Sequence, residues 1–252
     1  MEFKYWKNIS SLDNLPCPHC LHGKLVPLPN SFISNKTKES VELEIEYRGQ
    51  YPWTEYYFAG ILKCNICKEI VTTCGEWAED RQGIDIIEDV ETGVIGLSDP
   101  EKYYKPKYFH PNLQIFKIPE NTPVNVMSCL NKSFALFWSD ISGAINKIRI
   151  AIEYLLDERK IDRIKIVKTG KKGRKPHRRE VRLSLEQRIN LFKIKNKEIG
   201  SYLLNIKEIG NKATHTIEIE DRDLLLKVYE TIEYVLISMY NKPEEITTSK
   251  DK

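Results

Sequence analysis

The stretch C-P-H-C at residues 17–20 decides the fold of the first half of the chain, because it recurs as C-N-I-C at residues 64–67. A CxxC pair forms a tight knuckle that directs two thiolates at one ion, and four thiolates complete a tetrahedral zinc shell. We therefore expect Cys17, Cys20, Cys64 and Cys67 to bind one Zn²⁺. Four thiolates leave no coordination position for water or substrate, so the predicted role of the ion is structural.

The segment between the two pairs is long enough to contain an inserted hairpin. Residues 41–47, V-E-L-E-I-E-Y, alternate apolar and charged side chains, which is a strand pattern. Apolar residues also lead into the second CxxC pair and away from it, which predicts strands on both sides of the metal. We expect residues 1–99 to form a small zinc-ribbon-like β module.

The composition is that of a soluble globular protein, with 41% hydrophobic and 30% charged residues among 252. No apolar run reaches the roughly 18 residues that a membrane-spanning helix needs. The first residues lack the uninterrupted apolar stretch of a signal peptide, so we expect a cytoplasmic protein that is not associated with a membrane. Thiols stay reduced in that compartment, which favours metal binding over disulfides.

Charge divides the chain into two halves. Residues 1–125 contain 13 Lys/Arg and 18 Asp/Glu, a net charge of −5. Residues 126–252 contain 26 Lys/Arg and 18 Asp/Glu, a net charge of +8. This asymmetry favours two modules with different surfaces, and it makes the second half the better candidate for an anionic partner.

Residues 100–125 differ in composition from the segments on either side, with five prolines and, before Gln114, four Tyr or Phe. Proline removes a backbone donor and blocks helix, so an extended connector is predicted. Its aromatic residues are expected to pack on a domain surface. Stacking on nucleic-acid bases is the alternative.

After the connector, the hydrophobic pattern is helical to the end of the chain. One long run with apolar residues at helical spacing extends from Phe134 to Leu156, and three more helices are predicted in residues 184–194, 201–215 and 221–240. We expect residues 126–252 to form a four-helix bundle. The predicted fold class is therefore α+β.

A basic segment separates the first two of these helices. Seven of its twelve residues, 168–179, are Lys or Arg: Lys168, Lys171, Lys172, Arg174, Lys175, Arg178 and Arg179. Two glycines and one proline predict a solvated loop. The loop either only tolerates charge at the surface or contacts the phosphate backbone of RNA or DNA. No aromatic residue is interleaved, so base stacking is not predicted there.

The sequence G-N-K-A-T-H at residues 210–215 carries a family resemblance. The helical half resembles HEPN domains (higher eukaryotes and prokaryotes nucleotide-binding), whose catalytic members have an arginine, a polar residue and then a histidine at this spacing. Asn211 matches the polar position and His215 the histidine, whereas Gly210 stands where the arginine would be. The resemblance extends to the first helix, where Arg149 and Glu153 lie one turn apart.

This motif has two alternative interpretations, of which the resemblance implies the first and the residues themselves suggest the second. In the first, His215 is the general acid/base of a metal-independent ribonuclease, and Lys207 or Lys212 replaces the cation that stabilises the phosphorane-like state. In the second, Asn211 and His215 join Arg149 and Glu153 in a polar cluster that fixes helix register. In that case Gly210 serves to let a neighbouring helix approach closely.

The whole layout resembles a bacterial family of unknown function that joins a two-CxxC module, a connector rich in proline and aromatic residues, and a HEPN-like bundle with a G-N-x-x-x-H signature. Its members are often encoded near restriction and other phage-defence systems. The resemblance implies a binding, regulatory or effector subunit in anti-phage defence. A ribonuclease toxin and a nucleotide-sensing domain are the alternatives. A partner protein of a defence system and a homodimer through the bundle, which would bring two His215 residues to one cleft, are further expectations.

Overall fold

The computed structural model describes Trp6 and residues 11–81, 86–88, 95–97, 100–169, 177–215 and 222–241. The chain divides into two compact units, Glu2–Gln114 and Ile115–Lys252. The first contains an antiparallel sheet and the second contains helices, so the predicted α+β class is confirmed at this level. Among the helices that the structure describes, none combines the length and the apolar character that crossing a bilayer requires.

The first unit is built on a six-stranded antiparallel sheet. Its strands are adjacent in the order β1-β2-β4-β5-β8, and β3 also pairs with β4. The elements of this unit are β1 (Leu15–Pro16), β2 (Lys24–Pro27), β3 (Ile33–Lys36), α1 (Lys38–Glu46), β4 (Trp53–Cys64), β5 (Ile70–Asp80), β6 (Ile86–Glu88), β7 (Ile95–Leu97) and β8 (Glu101–His110). Strands β6 and β7 pair only with each other within the described residues.

The long strand β4 organises this sheet, because it pairs with β2 and β3 on one side and with β5 on the other. Alternate residues of β4 face the core, so Thr54, Phe58 and Leu62 are buried. The Phe58 ring stacks on Phe32 at 6.1 Å between centroids and meets the edge of Tyr104 at 5.6 Å. Apolar and aromatic packing on one face therefore holds the sheet together.

The strand predicted at residues 41–47 is wrong, because this segment belongs to the helix α1. Thr37 caps the helix by accepting a hydrogen bond from the backbone N–H of Ser40 at 3.2 Å. Val41 and Ile45, which an alternating strand would bury, are 41% and 74% exposed. The cap and the helix-forming Glu and Leu residues outweigh the alternation of apolar and charged side chains.

The first part of the predicted connector, residues 100–125, is a strand of the sheet. Strand β8 pairs with β5 and is the edge strand, a position in which Pro106 leaves no ladder hydrogen bond broken inside the sheet. The register shifts between Cys74 and Gly75, and Phe109 is buried. The prolines do favour extended backbone, but the aromatic residues also give this segment a face to bury.

The second unit contains five helices within its described residues. They are α2 (Val124–Leu136), α3 (Ile141–Glu158), α4 (Leu185–Lys193), α5 (Lys197–His215) and α6 (Arg222–Tyr240), and a hairpin of β9 (Ile164–Thr169) and β10 (His177–Arg182) lies between α3 and α4. The prediction of one continuous first helix in a four-helix bundle is therefore wrong. The helix is interrupted before Asp140, whose side chain caps α3 by accepting a hydrogen bond from the N–H of Gly143 at 2.7 Å.

Aromatic side chains form the centre of the helical unit. Phe116, Phe134 and Phe137 surround Tyr229 with ring centroids 5.5–6.1 Å from the tyrosine. The Tyr229 hydroxyl lies 2.8 Å from the Ser133 hydroxyl, which also donates to the carbonyl of Ala144 at 2.8 Å. Burial raises the pKa of Tyr229 above its usual range. The buried hydroxyls are thus satisfied inside an apolar core.

We predict that Gly75→Ala destabilises the sheet. A Cβ at this position would lie 2.5 Å from the backbone carbonyl oxygen of Lys105, so β5 and β8 would have to separate at the register shift. Overpacking of this kind costs about 1–3 kcal/mol, measurable as a lower midpoint of thermal or urea unfolding. The matched control is Cys74→Ala, because Cys74 is exposed and has a Cβ already. Equal midpoints for the two variants would contradict the prediction.

Candidate metal centre and the helical motif

The first cysteine knuckle follows β1. The N–H of Cys17 donates to the carbonyl of Gly23 at 3.0 Å, and the N–H of Leu21 donates back to the carbonyl of Cys17 at 3.1 Å. Leu21 takes a left-handed conformation with φ 59°. These bonds close a turn that places Cys17 and Cys20 on the same side of the backbone.

The second knuckle lies at the end of β4. The N–H of Cys64 donates to the carbonyl of Glu69 at 2.9 Å, which closes the turn before β5 begins. Strand β2 pairs with β4 in a register that sets Leu25 opposite Cys64. Lys24 and Asn65 add two hydrogen bonds between the knuckles, of 2.8 and 2.9 Å. The sheet register therefore brings the two CxxC pairs together.

The four thiols form a compact cluster. The Sγ atoms of Cys17, Cys20, Cys64 and Cys67 all lie within 4.8 Å of one another. Cys17 Sγ is 3.6 Å from Cys67 Sγ, and Cys20 Sγ is 3.7 Å from Cys64 Sγ. A tetrahedral shell with Zn–S bonds of about 2.3 Å has S···S edges of about 3.8 Å, whereas a disulfide measures about 2.05 Å. The cluster could hold a metal ion, and its geometry is compatible with zinc.

Backbone amides stabilise negative charge in the cluster. The N–H of Gly23 donates to Cys20 Sγ at 3.3 Å, and the N–H of Ile66 donates to Cys64 Sγ at 3.4 Å. Hydrogen bonds from the backbone of His22 and Gly23 lower the pKa of Cys20 to about 6. Burial raises the pKa of Cys17 to about 12. A thiol of this kind ionises when a cation replaces its proton, so metal binding here is linked to proton release.

Gly23 is a residue of this centre that the sequence reasoning missed. A Cβ at Gly23 would lie 2.2 Å from the Sγ of Cys64, closer than any side chain can approach. The second knuckle therefore fits against bare backbone. The signal in the sequence was a glycine three residues after the second cysteine of the first pair, a position where backbone must come close to a thiolate.

We predict that the protein as isolated contains about one metal ion per chain, measured by elemental analysis. Cys64→Ala should lose the ion and unfold the sheet at lower temperature, because three thiolates do not complete the shell and structural metal sites contribute directly to folding. The control is Cys74→Ala, which removes an exposed thiol outside the cluster. Full metal content and unchanged unfolding in Cys64→Ala would contradict the assignment.

The G-N-K-A-T-H motif lies inside α5, which continues to His215. Gly210 is buried, and a Cβ there would lie 2.8 Å from Cδ of Arg149 and 3.2 Å from Cγ2 of Ile145. The aliphatic stem of Arg149 therefore packs against the backbone of α5 at the position where the sequence resemblance would place an arginine. Close approach of a neighbouring helix, one of the two alternatives for Gly210, is the arrangement found.

The other residues predicted around this motif take different positions. Lys207 donates to the Glu186 carboxylate at 2.8 Å and so forms an ion pair with α4. Asn211 is half-buried. The side chains of Lys212 and His215 lie outside the described residues, so the cluster predicted around His215 stays a prediction.

The Glu153 carboxylate accepts a hydrogen bond from Arg188 of α4, a residue that the sequence reasoning missed. Arg188 is 1% exposed and also donates to Asp157 Oδ1 at 2.7 Å and to the carbonyl of Ile161 at 2.8 Å. The signal in the sequence was the pair of acidic residues one turn apart, Glu153 and Asp157, at the edge of the apolar stripe of α3. Such a pair needs a cation from another element.

Asp157 links this ion pair to the hairpin. Arg163, which precedes β9, donates from Nε to Asp157 Oδ1 at 2.9 Å. This hydrogen bond, together with the charge of Arg188, lowers the pKa of Asp157 below its usual value. The two guanidinium groups and two carboxylates form one network at the end of α3, which we call the Arg188 network.

We predict that Arg188→Met destabilises the helical unit by about 3 kcal/mol, because it leaves two carboxylates and two carbonyls without their shared donor. The estimate is at the low end for a buried ion pair, since Glu153 and Asp157 are 28% and 33% exposed and regain some water. Urea unfolding measures the loss. Arg178→Gln is the control because Arg178 is exposed in β10. A loss below about 1 kcal/mol, the range of surface pairs, would show that the network is not a core contact.

The basic segment forms part of the hairpin and is not simply a loop. Arg178 and Arg179 are exposed in β10, and Lys168 lies in β9. The remaining four residues predicted to bind nucleic acid lie outside the described part of the chain: Lys171, Lys172, Arg174 and Lys175.

Comparison with known families gives one match in each structural unit. Residues 6–109 match the family described as Domain of unknown function (DUF8608), and residues 131–252 match Domain of unknown function (DUF4145). Each unit is therefore similar to a family of unknown function. No curated protein and no solved structure gives a significant match.

Proposed function

We propose that the cysteine cluster is a structural zinc site. Four sulfur atoms within 4.8 Å of one another, with two S···S separations of 3.6 and 3.7 Å, suit the tetrahedral preference of Zn²⁺ and its affinity for thiolates. When bound, the ion would cross-link β1, β2 and β4. It would not take part in a reaction, because protein ligands complete its coordination shell. The first unit would therefore fold around its metal and act through its surface.

We further propose that the chain is a nucleic-acid-binding protein that acts as a regulatory or effector subunit, in the setting of bacterial anti-phage defence that the sequence resemblance implies. The single observation that carries nucleic-acid contact is the exposed basic hairpin of the helical unit, in which Arg178, Arg179 and Arg182 project from one strand. Solvent-exposed cations on a folded strand attract phosphate groups without any rearrangement of the protein.

Binding is favoured over cleavage because the position of the motif arginine is filled by packing. Gly210 brings no cation, and Lys207, the residue expected to replace one, forms its ion pair with Glu186. A cation that is to stabilise a developing charge has to face the reacting phosphate with its charge available. Neither residue meets this condition.

A ribonuclease is the second candidate, and one observation favours it. The stem of Arg149 lies against Gly210, and its guanidinium group makes no hydrogen bond or ion pair with the residues that the structure describes. An arginine from α3 could thus supply from a neighbouring helix the guanidinium that α5 lacks. Glycine at position 210 would then be required, because a Cβ there would collide with the Arg149 side chain.

One assay separates the two candidates. We expect wild-type protein to bind labelled RNA and DNA and to leave both intact in EDTA, with the zinc content checked after incubation, because the motif lacks a cation on α5. His215→Ala should bind as wild type does. Cyclic-phosphate ends that vanish in His215→Ala and Arg149→Ala, but persist in the control Lys147→Ala, would establish the ribonuclease instead. Absence of any nucleic-acid binding would contradict the proposed function.

Restoring the motif arginine requires a paired variant. In Gly210→Arg the new Cβ would lie 2.8 Å from Cδ of Arg149, so the side chain would displace that stem and disturb the packing of α3 on α5. Arg149→Ala/Gly210→Arg moves the guanidinium from one helix to the other without this collision. Cleavage gained by the double variant alone would show that the scaffold accepts the chemistry that the natural sequence lacks.

A further inference from the structure

The hairpin β9–β10 is a two-stranded antiparallel ribbon that is separate from the six-stranded sheet. Six residue pairs join its strands, from Ile164 opposite Arg182 to Thr169 opposite His177. At about 3.4 Å per residue the described ribbon is about 20 Å long. A two-stranded sheet of this size contributes little to a hydrophobic core, so a role in stabilising the fold does not explain why the ribbon is present.

Both faces of the ribbon are open to solvent. Ile164, Ile166 and Val181 are 50%, 63% and 38% exposed, and Arg178, Arg179 and Arg182 are also exposed. Apolar side chains left in water on both strands indicate a surface that is covered when the protein acts.

The charge on the ribbon specifies the chemistry of the surface that would cover it. Among the twelve residues of the two strands, five are cationic and one is acidic: Lys165, Lys168, Arg178, Arg179, Arg182 and Glu180. Cross-strand pairing places Arg178 and Arg182 on the face with Ile164 and Ile166, and Lys165 and Arg179 on the other. Positive charge therefore extends along both faces, which suits a partner that surrounds the ribbon with anions.

The ribbon is held at its base by the helical unit. Arg163, directly before β9, is bound to Asp157 at the end of α3, and the N–H of Leu183, directly after β10, donates to the carbonyl of Arg163 at 2.9 Å. Leu183 is 9% exposed, and Ser184 begins α4 with a capping box. Both ends of the ribbon are thus fixed to folded elements, so its direction is defined before a ligand binds.

We propose that the ribbon β9–β10 binds in the major groove of B-form duplex DNA, an inference that rests on the proposed nucleic-acid-binding function and names its ligand. The major groove is about 12 Å wide and admits a two-stranded β-ribbon, with phosphates along both sides. The groove surrounds an inserted ribbon with anions, which matches cations on both faces. The exposed Ile164 and Ile166 then meet base edges and thymine methyl groups in place of water.

The same geometry disfavours the other nucleic acids. The major groove of an A-form RNA duplex is deep and narrow, and side chains do not reach into it. Single strands are bound through stacking on aromatic side chains, and the two strands of the ribbon contain no Phe, Tyr or Trp.

Salt-dependent binding of the full-length, metal-loaded protein tests this inference. Fluorescence anisotropy with a DNA duplex, an RNA duplex and single-stranded RNA of equal length should give the tightest binding for the DNA duplex. Arg178→Gln/Arg179→Gln/Arg182→Gln should weaken that binding at least about tenfold and reduce the slope of log K against log salt by about 2.7, the value for three lost phosphate contacts. The matched control, Lys132→Gln/Lys195→Gln/Lys227→Gln, removes the same charge from exposed positions on other elements.

The groove is identified by methylation protection. Bound protein should protect guanine N7, in the major groove, from dimethyl sulfate and leave adenine N3, in the minor groove, reactive. Equal losses in the two triple variants, or protection of adenine N3 instead, would overturn the ribbon proposal. Preference for either RNA would also overturn it while the proposed function stands, whereas no binding to any probe would reject both.

Discussion

The buried guanidinium of Arg188 is the interaction on which the geometry of the helical unit depends. Removing an arginine from water is costly, and here the cost is offset by two carboxylates and two carbonyls that only this side chain satisfies together. All four acceptors come from α3 or the residues that directly follow it, so one side chain of α4 fixes where that helix ends. The hairpin leaves and returns at this point, and Asp157 shares its charge between Arg188 and Arg163. The direction of the ribbon therefore follows from a contact made outside it.

Close approach of backbone is the second constraint, and it decides the meaning of the motif in α5. Gly23 leaves room for a sulfur atom, Gly75 for a neighbouring strand and Gly210 for the stem of Arg149. In each case a methyl group would meet atoms at 2.8 Å or less. From the sequence alone, a glycine at the position where the resemblance would place a catalytic arginine suggests that catalytic activity has been lost. Its surroundings give it a packing role that is sufficient by itself, and the same packing brings another arginine to the site.

The parts of the structure that were predictable from sequence are those with a local cause. The CxxC spacing fixes which four thiols can meet, and apolar periodicity locates most of the helices. Residues 41–47 were ambiguous because alternation and helix propensity coexist there, and the cap at Thr37 decided between them. The hairpin was hidden by its composition, because Lys165 and Lys168 fall on opposite faces of I-K-I-V-K-T and so break the alternation of apolar and polar residues that is typical of a strand. Arg188 could not be found at all without the tertiary contact, because its partners lie 27 to 35 residues away.

The distribution of paired and free charge argues for a protein that acts by binding. Near the motif in α5 and at the end of α3, carboxylates of neighbouring elements neutralise three cations, Lys207, Arg163 and Arg188. On the ribbon the opposite holds, because Lys165, Arg178, Arg179 and Arg182 are exposed beside a single carboxylate, on a support that is fixed at its base. A charge that already has a partner stabilises the fold, whereas an exposed row of like charges weakens it through repulsion. Keeping such a row on a two-stranded ribbon is costly to stability, and the anionic ligand that we propose would relieve this repulsion.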